Sequence, residues 1–172
     1  AMDTFIQDAE IPTICSGSSV KIENSTNPYL YSTRKSDAGA GVSVALQCKN
    51  LNMTKVAIIH SPDALGTGMT PIVENKLKEL GISVVSEQQF SADEKNFAPY
   101  IAKIIDSGCD GIVAIAQTTE AGLIMTAVKD ANINVPCIGN SAFAQASPIE
   151  NAGDAANGWY ADTAFSPSVP TE

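Results

Sequence analysis

Residues 54 to 139 repeat one pattern: a short apolar run, a turn, then a stretch of helical spacing. The first apolar run is Lys55-Val56-Ala57-Ile58-Ile59-His60, followed by a turn through Ser61 to Gly68. A helix then runs to Leu80, with Pro71 near its start, where a missing N–H costs nothing. Met69, Ile72, Val73, Leu77 and Leu80 form its apolar stripe, Glu74 and Lys78 stand four apart for an ion pair, and Gly81 follows as the C′ residue. Val84-Val85 marks a second strand. A helix from about Asn96 to Ser107 buries Phe97, Ile101, Ile104 and Ile105 and stops at Gly108. The third strand spans Gly111 to Ala116, the next helix Thr118 to about Ala131 with Leu123, Ile124, Ala127 and Val128 inward, and Pro136-Cys137-Ile138-Gly139 the fourth strand. Gly158 to Phe165 reads as a last strand. Strands alternating with helices of this length predict an α/β fold: a doubly wound parallel sheet covered on both faces. Such sheets take ligands at the carboxyl ends of their strands, which locates a candidate site before any chemistry is considered.

The flanks are less complete. Residues 3 to 9 suit the end of a helix with Phe5, Ile6 and Ala9 inward, and Pro12-Thr13-Ile14-Cys15 a short buried strand. Ser16-Gly17-Ser18-Ser19 is a loop of small residues at its carboxyl end. Asn27-Pro28 marks a turn, and Tyr29 to Arg34 a second extended run. Ser36 is a good N-cap for a helix to about Asn50, with Val42, Ala45, Leu46 and Lys49 at helical spacing. The pattern divides the chain into 1–35, 36–165 and a tail, 166–172. The strands near Ile14 and Tyr31 would carry open edges and bare apolar faces in a monomer, so self-association is expected.

Composition narrows the function. The hydrophobic fraction is 44% and only 17% of residues are charged, which suits a folded core. A net charge of -9 argues against nucleic acid, because phosphate binding needs clustered Lys and Arg. No run approaches the ~20 apolar residues that span a bilayer. Ala1-Met2 resembles an added residue before an initiator methionine, and no signal peptide follows it. Cys15, Cys48, Cys109 and Cys137 have no metal-ligand spacing with the lone His60; Cys15 and Cys137 sit in apolar runs as buried thiols, and one disulfide of unassigned partners stays open.

The chemical motifs are weak. Gly66-Thr67-Gly68 fails as a dinucleotide fingerprint because Pro71 stands at the third glycine position, and it lacks the Lys-Ser/Thr of a phosphate loop. His60 has no nucleophile arrangement around it, and Asp63 reads as a turn former. Asp93, Glu94, Asp106 and Asp110 suit capping or solvated roles, and no acidic cluster supports a phosphoacceptor site. Asn24-Ser25-Thr26 and Asn52-Met53-Thr54 match the glycosylation triplet, a common chance match. No cofactor, no metal and no catalysis are expected.

The ordered run from Asn27-Pro28-Tyr29 through Lys55-Val56-Ala57-Ile58-Ile59, Leu65-Gly66-Thr67-Gly68, Leu80-Gly81, Asp110-Gly111-Ile112-Val113 and Pro136-Cys137-Ile138-Gly139 to Gly153-Asp154-Ala155-Ala156-Asn157-Gly158 resembles the type I periplasmic solute-binding proteins, in particular the branched-chain amino-acid binding proteins of ABC transporters. The resemblance implies two doubly wound lobes joined by crossing strands, with solute held between them. Residues 36–165 would be most of the second lobe, 1–35 the end of the first lobe with the first crossover, and 166–172 the start of the return crossover. It implies a membrane ABC permease as partner of the full-length protein and an extracellular or periplasmic location.

It also implies site residues. Gly17, Ser18 and Ser19 match the small-residue loop that holds a ligand carboxylate, where short donors converge on one oxygen pair. Leu65 stands where an aromatic commonly precedes the Gly-x-Gly turn. Gln117 and Thr118 stand where a second aromatic follows the third strand, and Ser141, beside Asn140, where an acid usually meets the ligand ammonium. A buried ammonium without a carboxylate is costly. Either a nearby residue such as Glu120 supplies the acid, or the solute is a polar, uncharged or carboxylate-bearing molecule other than a leucine-type amino acid. Two alternatives accompany this reading: a truncated remnant that folds without a complete site, and an effector-binding domain of a regulator.

Overall fold

The computed structural model describes residues 2–163. Two parallel sheets are present. The smaller pairs β1 (Thr13–Cys15) with β2 (Leu30–Ser32), flanked by α1 (Met2–Ala9) and the one-turn helix α2 (Val20–Glu23). The larger contains β3 (Lys55–His60), β4 (Ser83–Gln89), β5 (Gly111–Ile115), β6 (Cys137–Gly139) and β7 (Trp159–Ala161) in the order β4-β3-β5-β6-β7. All its neighbours run parallel. Helices α3 (Asp37–Asn50) and α4 (Ala64–Glu79) cover one face; α5 (Ala98–Asp106), α6 (Thr118–Asp130) and the short α7 (Ala146–Ala152) cover the other.

Alternation along the central strands builds both cores. Val56 and Ile58 of β3, with Val113 and Ile115 of β5, pack under Val44, Cys48, Met69, Val73 and Leu77. Ala57 and Ile59, with Ile112 and Ala114, face Ile101, Ile104, Ile124 and Met125. A strand buried on both faces has no polar face to show, which is why β3 and β5 appear as continuous apolar runs. Ser36 caps α3 by accepting from the Ala38 N–H at 3.0 Å. Gly81 and Gly108, with φ of 75° and 65°, end α4 and α5 in the left-handed conformation that a Cβ disfavours.

Several expectations are corrected. Helix α4 begins at Ala64, not after the glycines, because Asp63 caps it; Gly66-Thr67-Gly68 form its first turns, and Pro71 lies inside it. On α3 the buried residues are Gly41, Val44, Ala45 and Cys48, while Leu46 is exposed, because the helix rolls its small-residue face onto Ile72 and Val73 of α4. Ile105 is exposed on the outer side of α5. Glu74 makes no pair with Lys78; Lys76 pairs with Glu79 at 2.8 Å, and Glu74 neighbours Glu87 across from β4.

The small sheet departs most. Ile14 is 74% exposed and Phe5 70% exposed, and Ala9 is exposed too, so the expected buried strand and helix face lie open; only Ile6 is buried. Cys15 is half-buried, not sealed. The cause is architectural: among the described residues, two strands and two short helices offer no layer for that face. The last strand closes at Ala161, and its expected end at Ala164 and Phe165 lies outside the described residues.

Candidate functional site

The larger sheet reverses direction of winding between β3 and β5, so the loops after these strands diverge there. Three loops meet at this mouth. Ser61 continues the β3 ladder by donating its N–H to Ile115 O at 2.9 Å, which holds the loop after β3 against β5. Asp63 organises the turn that follows. Its Oδ1 accepts from Ser61 Oγ at 2.6 Å and from the Leu65 and Gly66 N–H groups at 3.1 Å each. Its Oδ2 accepts from Gln117 Nε2 at 2.7 Å. Burial alone would push the Asp63 carboxyl up, but these donors outweigh it and hold it below the ordinary value. Gly66 is required here, since a Cβ would run into the Ser61 carbonyl.

The third loop follows β6. Buried Asn140 accepts from the Ala116 N–H through Oδ1 at 3.0 Å and donates its own N–H to Ala114 O at 3.2 Å, so it clips the ends of β5 and β6 together. Ser141 opens the next turn and is half-buried. Phe143 behind it stacks on Trp159 with ring centroids 4.9 Å apart, fixing the turn against β7. Gln117 and Thr118 lie at the start of α6, beside Asn140. Glu120, one turn in, has an Oε2 shut from solvent with no hydrogen-bond partner.

The small sheet carries the remaining predicted site residues. Gly17, Ser18 and Ser19, with Arg34 and Ser36, line a cavity of about 290 Å³. Ser18 O accepts the Asp37 N–H at 2.7 Å, and Ser32 Oγ donates to Gly17 O at 2.8 Å, so the loop is pinned to β2 and to the start of α3. Ser19 spends its hydroxyl as the cap of α2, accepting the Lys21 N–H at 3.3 Å. Glu23 accepts the Ser36 hydroxyl. Val20, the residue after the loop, stands at van der Waals distance from the Cβ position of Gly68 in the first turns of α4. Gly17, Ser18 and Ser19 thus line a cavity of their own beside β2, while Leu65, Gln117, Thr118 and Ser141 lie around the mouth of the larger sheet.

Two residues that the sequence undersold matter here. Asp63 read as a turn former, yet it joins two loops; its position three before Gly66 ahead of an apolar periodic run was the available signal. Arg34 read only as the end of the extended run from Tyr29, and it lines the cavity with Gly17, Ser18 and Ser19. A larger hollow of about 490 Å³ lies at the opposite, amino ends of β6 and β7, between Pro136 and Trp159. Burial pushes the Cys48 and Cys137 thiols up to about 12, which suits packing and not nucleophilic chemistry. Among the described residues no group of His, Cys, Asp and Glu could hold a metal ion, and no helix is long and apolar enough to cross a membrane.

Comparison with known proteins bears on the family and the fold. The Leu/Ile/Val/Thr-binding protein of Salmonella typhimurium is 28% identical over 104 residues, 60% of this chain and 28% of that protein. A Leu/Ile/Val-binding protein homolog of Brucella abortus is 27% identical over 125 residues, covering 73% of this chain and 34% of the relative. The chain thus spans well under two thirds of the relatives it matches. Among solved structures, a leucine binding protein from Thermotoga maritima superposes with a TM-score of 0.90 at 18% identity, over 99% of this chain and 49% of that one. An ABC-transporter solute-binding protein from Rhodopseudomonas palustris, in complex with p-hydroxybenzoic acid, gives 0.80 at 22% identity over 89% and 43%. The family model described as periplasmic binding protein matches residues 1–172, and the chain belongs to that family.

Proposed function

We propose that this chain captures a small polar or carboxylate-bearing solute for an ABC importer, without catalysis, on the extracytoplasmic side of the membrane. The observation that carries the reading is the approach of the Gly17–Ser19 loop, through Val20, to the first turns of α4 at the mouth of the parallel sheet. In this reading the solute sits in a crevice between the two sheets, the form in which a hinged clamp holds a solute. The relatives' names point to amino acids, while one structural neighbour holds p-hydroxybenzoic acid. The hydroxyl and backbone groups of Gly17–Ser19 beside Arg34 suit a carboxylate, and Glu23 in the same cavity leaves room for an ammonium partner. A membrane permease is the partner that such a receptor would serve.

A thermal-shift panel of amino acids, benzoates and short aliphatic carboxylates tests the reading, followed by calorimetry on any that act. A true ligand at a hundred times its Kd adds about 2.7 kcal/mol to stability. A panel in which nothing raises the unfolding temperature counts against it. The exposed Phe5, Ile14 and Tyr31 favour a second reading for these 172 residues in isolation: a chain that folds, holds solute weakly and self-associates through that face. Sedimentation of a monodisperse monomer would exclude the association.

A further inference from the structure

We infer that Asn157-Gly158, in the turn that leads into β7, is a site of self-modification, in which residue 157 converts to aspartate or isoaspartate and β7 loses its register. The inference stands apart from the solute reading. Three asparagines of the chain are followed by glycine or serine: Asn24, Asn140 and Asn157. Asn140 is buried, and its Oδ1 is held by the Ala116 N–H at 3.0 Å. Asn24 precedes Ser25, whose Cβ crowds the peptide and whose N–H is already donated to Ile22 O at 3.1 Å. Asn157 and Gly158 are both exposed, and they line the hollow of about 490 Å³ at the amino ends of β6 and β7, so water reaches them. Among the described residues neither the Asn157 side-chain amide nor the Gly158 N–H meets a hydrogen-bond partner. A φ of -64° and ψ of 133° at Asn157, then a φ of 83° at Gly158, match the central residues of a type II turn. The space around Gly158 is open, and a residue without Cβ lets the peptide unit turn over and bring its nitrogen to Asn157 Cγ.

The chemistry needs only water. Once solvent base takes its proton, the Gly158 nitrogen forms a bond to Asn157 Cγ. The Cγ–Nδ2 bond breaks, and the nitrogen leaves as ammonia after taking up a proton. The product is a cyclic succinimide. Water then opens the ring, at the side-chain carbonyl to give aspartate and at the main-chain carbonyl to give isoaspartate. One water is consumed and one ammonia released, with no oxidant or reductant. Such lability is the reason asparagine counts among thermolabile residues. Isoaspartate places one extra carbon in the main chain just before β7, the short strand that pairs Trp159 with Cys137. A longer link there shifts the pairing, and register decides which face each side chain takes. The stack of Trp159 on Phe143, which fixes the turn after β6, is lost with it.

The test is to age the folded chain in mildly alkaline buffer and follow it by peptide mass mapping, by isoaspartate-specific labelling and by the emission of Trp159, the sole tryptophan of the sequence. The wild type is compared with Asn157→Gln, Asn157→Asp and a denatured wild-type sample. The expected result is a gain of one mass unit in the peptide that holds Asn157-Gly158, with isoaspartate label there and a shift in Trp159 emission that grows in step. Asn157→Gln should lose both the gain and the shift. Asn157→Asp, which carries the charge without the longer main chain, should keep the emission of fresh wild type. Residue 157 is exposed, so both variants should fold like the wild type, and their thermal midpoints check this. A mass gain at 157 in the denatured sample alone overturns the proposal, since the turn then protects the amide. A gain that comes first at Asn24 or Asn140, or in neither sample, does the same. A gain at 157 with unchanged Trp159 emission, or an emission shift already present in fresh Asn157→Asp, overturns the loss of register.

Discussion

Gln117 reaches across from the loop after β5 and donates to Asp63 in the loop after β3 at 2.7 Å. One carboxylate thus caps α4 and ties two loops of the site. Asp63→Ala should cost about 1–2 kcal/mol, the usual loss of an N-cap, with the orphaned Gln117 amide free to return to water. The pH dependence has a definite sign. A carboxyl held low in the folded state contributes stability that is fully present above its ordinary value of 3.8 and is lost as pH falls below that value. The stability difference between the wild type and Asp63→Asn should be constant above pH 4 and change progressively as pH falls below 3.8. Parallel curves across that range would mean that Asp63 is not the group titrating.

Gly66 sits where a side chain has no room. A Cβ there would strike the Ser61 carbonyl, a backbone atom that cannot swing aside. Gly66→Ala should therefore destabilise by about 1–3 kcal/mol, although alanine is the better helix former at an open position. Gly68→Ala is the matched control, since its Cβ would only touch Val20 at an ordinary 4.0 Å. Denaturant melts should show the first substitution costly and the second close to neutral for the fold.

The difference between these two glycines marks how far the sequence could be read. The central strands were legible because burial on both faces leaves an unmistakable apolar run between turns, and the caps at Ser36, Gly81 and Gly108 were legible because they act over one turn of chain. The start of α4 was not. Two glycines in three residues argue for a loop on intrinsic preference, and the reason they belong in a helix is the proximity of Ser61, which depends on the folded turn. The pairing of Asp63 with Gln117 spans 54 positions and is set by β3 lying next to β5. Leu65, Gln117, Thr118 and Ser141 could be placed after strands from the resemblance, but their neighbours could not. Ile14 was misjudged for the converse reason: an apolar residue in a strand implies burial only if a layer covers it, and in the small sheet none of the described residues does.

Glu74 on α4 carries a built-in conflict. Burial and then the adjacent Glu87 push its carboxyl up, with His60 working the other way. His60 is itself buried, with Nε2 at 3.1 Å from Glu87 Oε1. A carboxyl raised in the folded state binds its proton more tightly there than in the unfolded chain, so stability falls as pH rises from the ordinary 4.5 through the raised value. Glu74→Gln removes that loss. Because the group is only half-buried, the gain should be small, about 0.5 kcal/mol or ~1–2 °C in Tm at pH 7, and absent at pH 4. A Tm gain of equal size at both pH values would point to packing, not charge.

Lys35 and Asp162 lie 127 positions apart and join the segments that leave the small sheet after β2 and the large sheet after β7. Their exposures differ: the Lys35 side chain is 36% exposed and the Asp162 side chain 10%. That asymmetry decides the outcome of a mutant cycle. Lys35→Ala strands a nearly buried carboxylate and should cost ~1–2 kcal/mol, more than a surface pair is worth. Asp162→Ala leaves a lysine that can turn to water, where it also keeps Ser43 Oγ within 3.3 Å, and should cost less. The double substitution should be no worse than Lys35→Ala alone, because removing the carboxylate removes the penalty of stranding it. Simple additivity of the two single losses would mean that the bridge carries no coupling and that the two segments are held by their backbones alone.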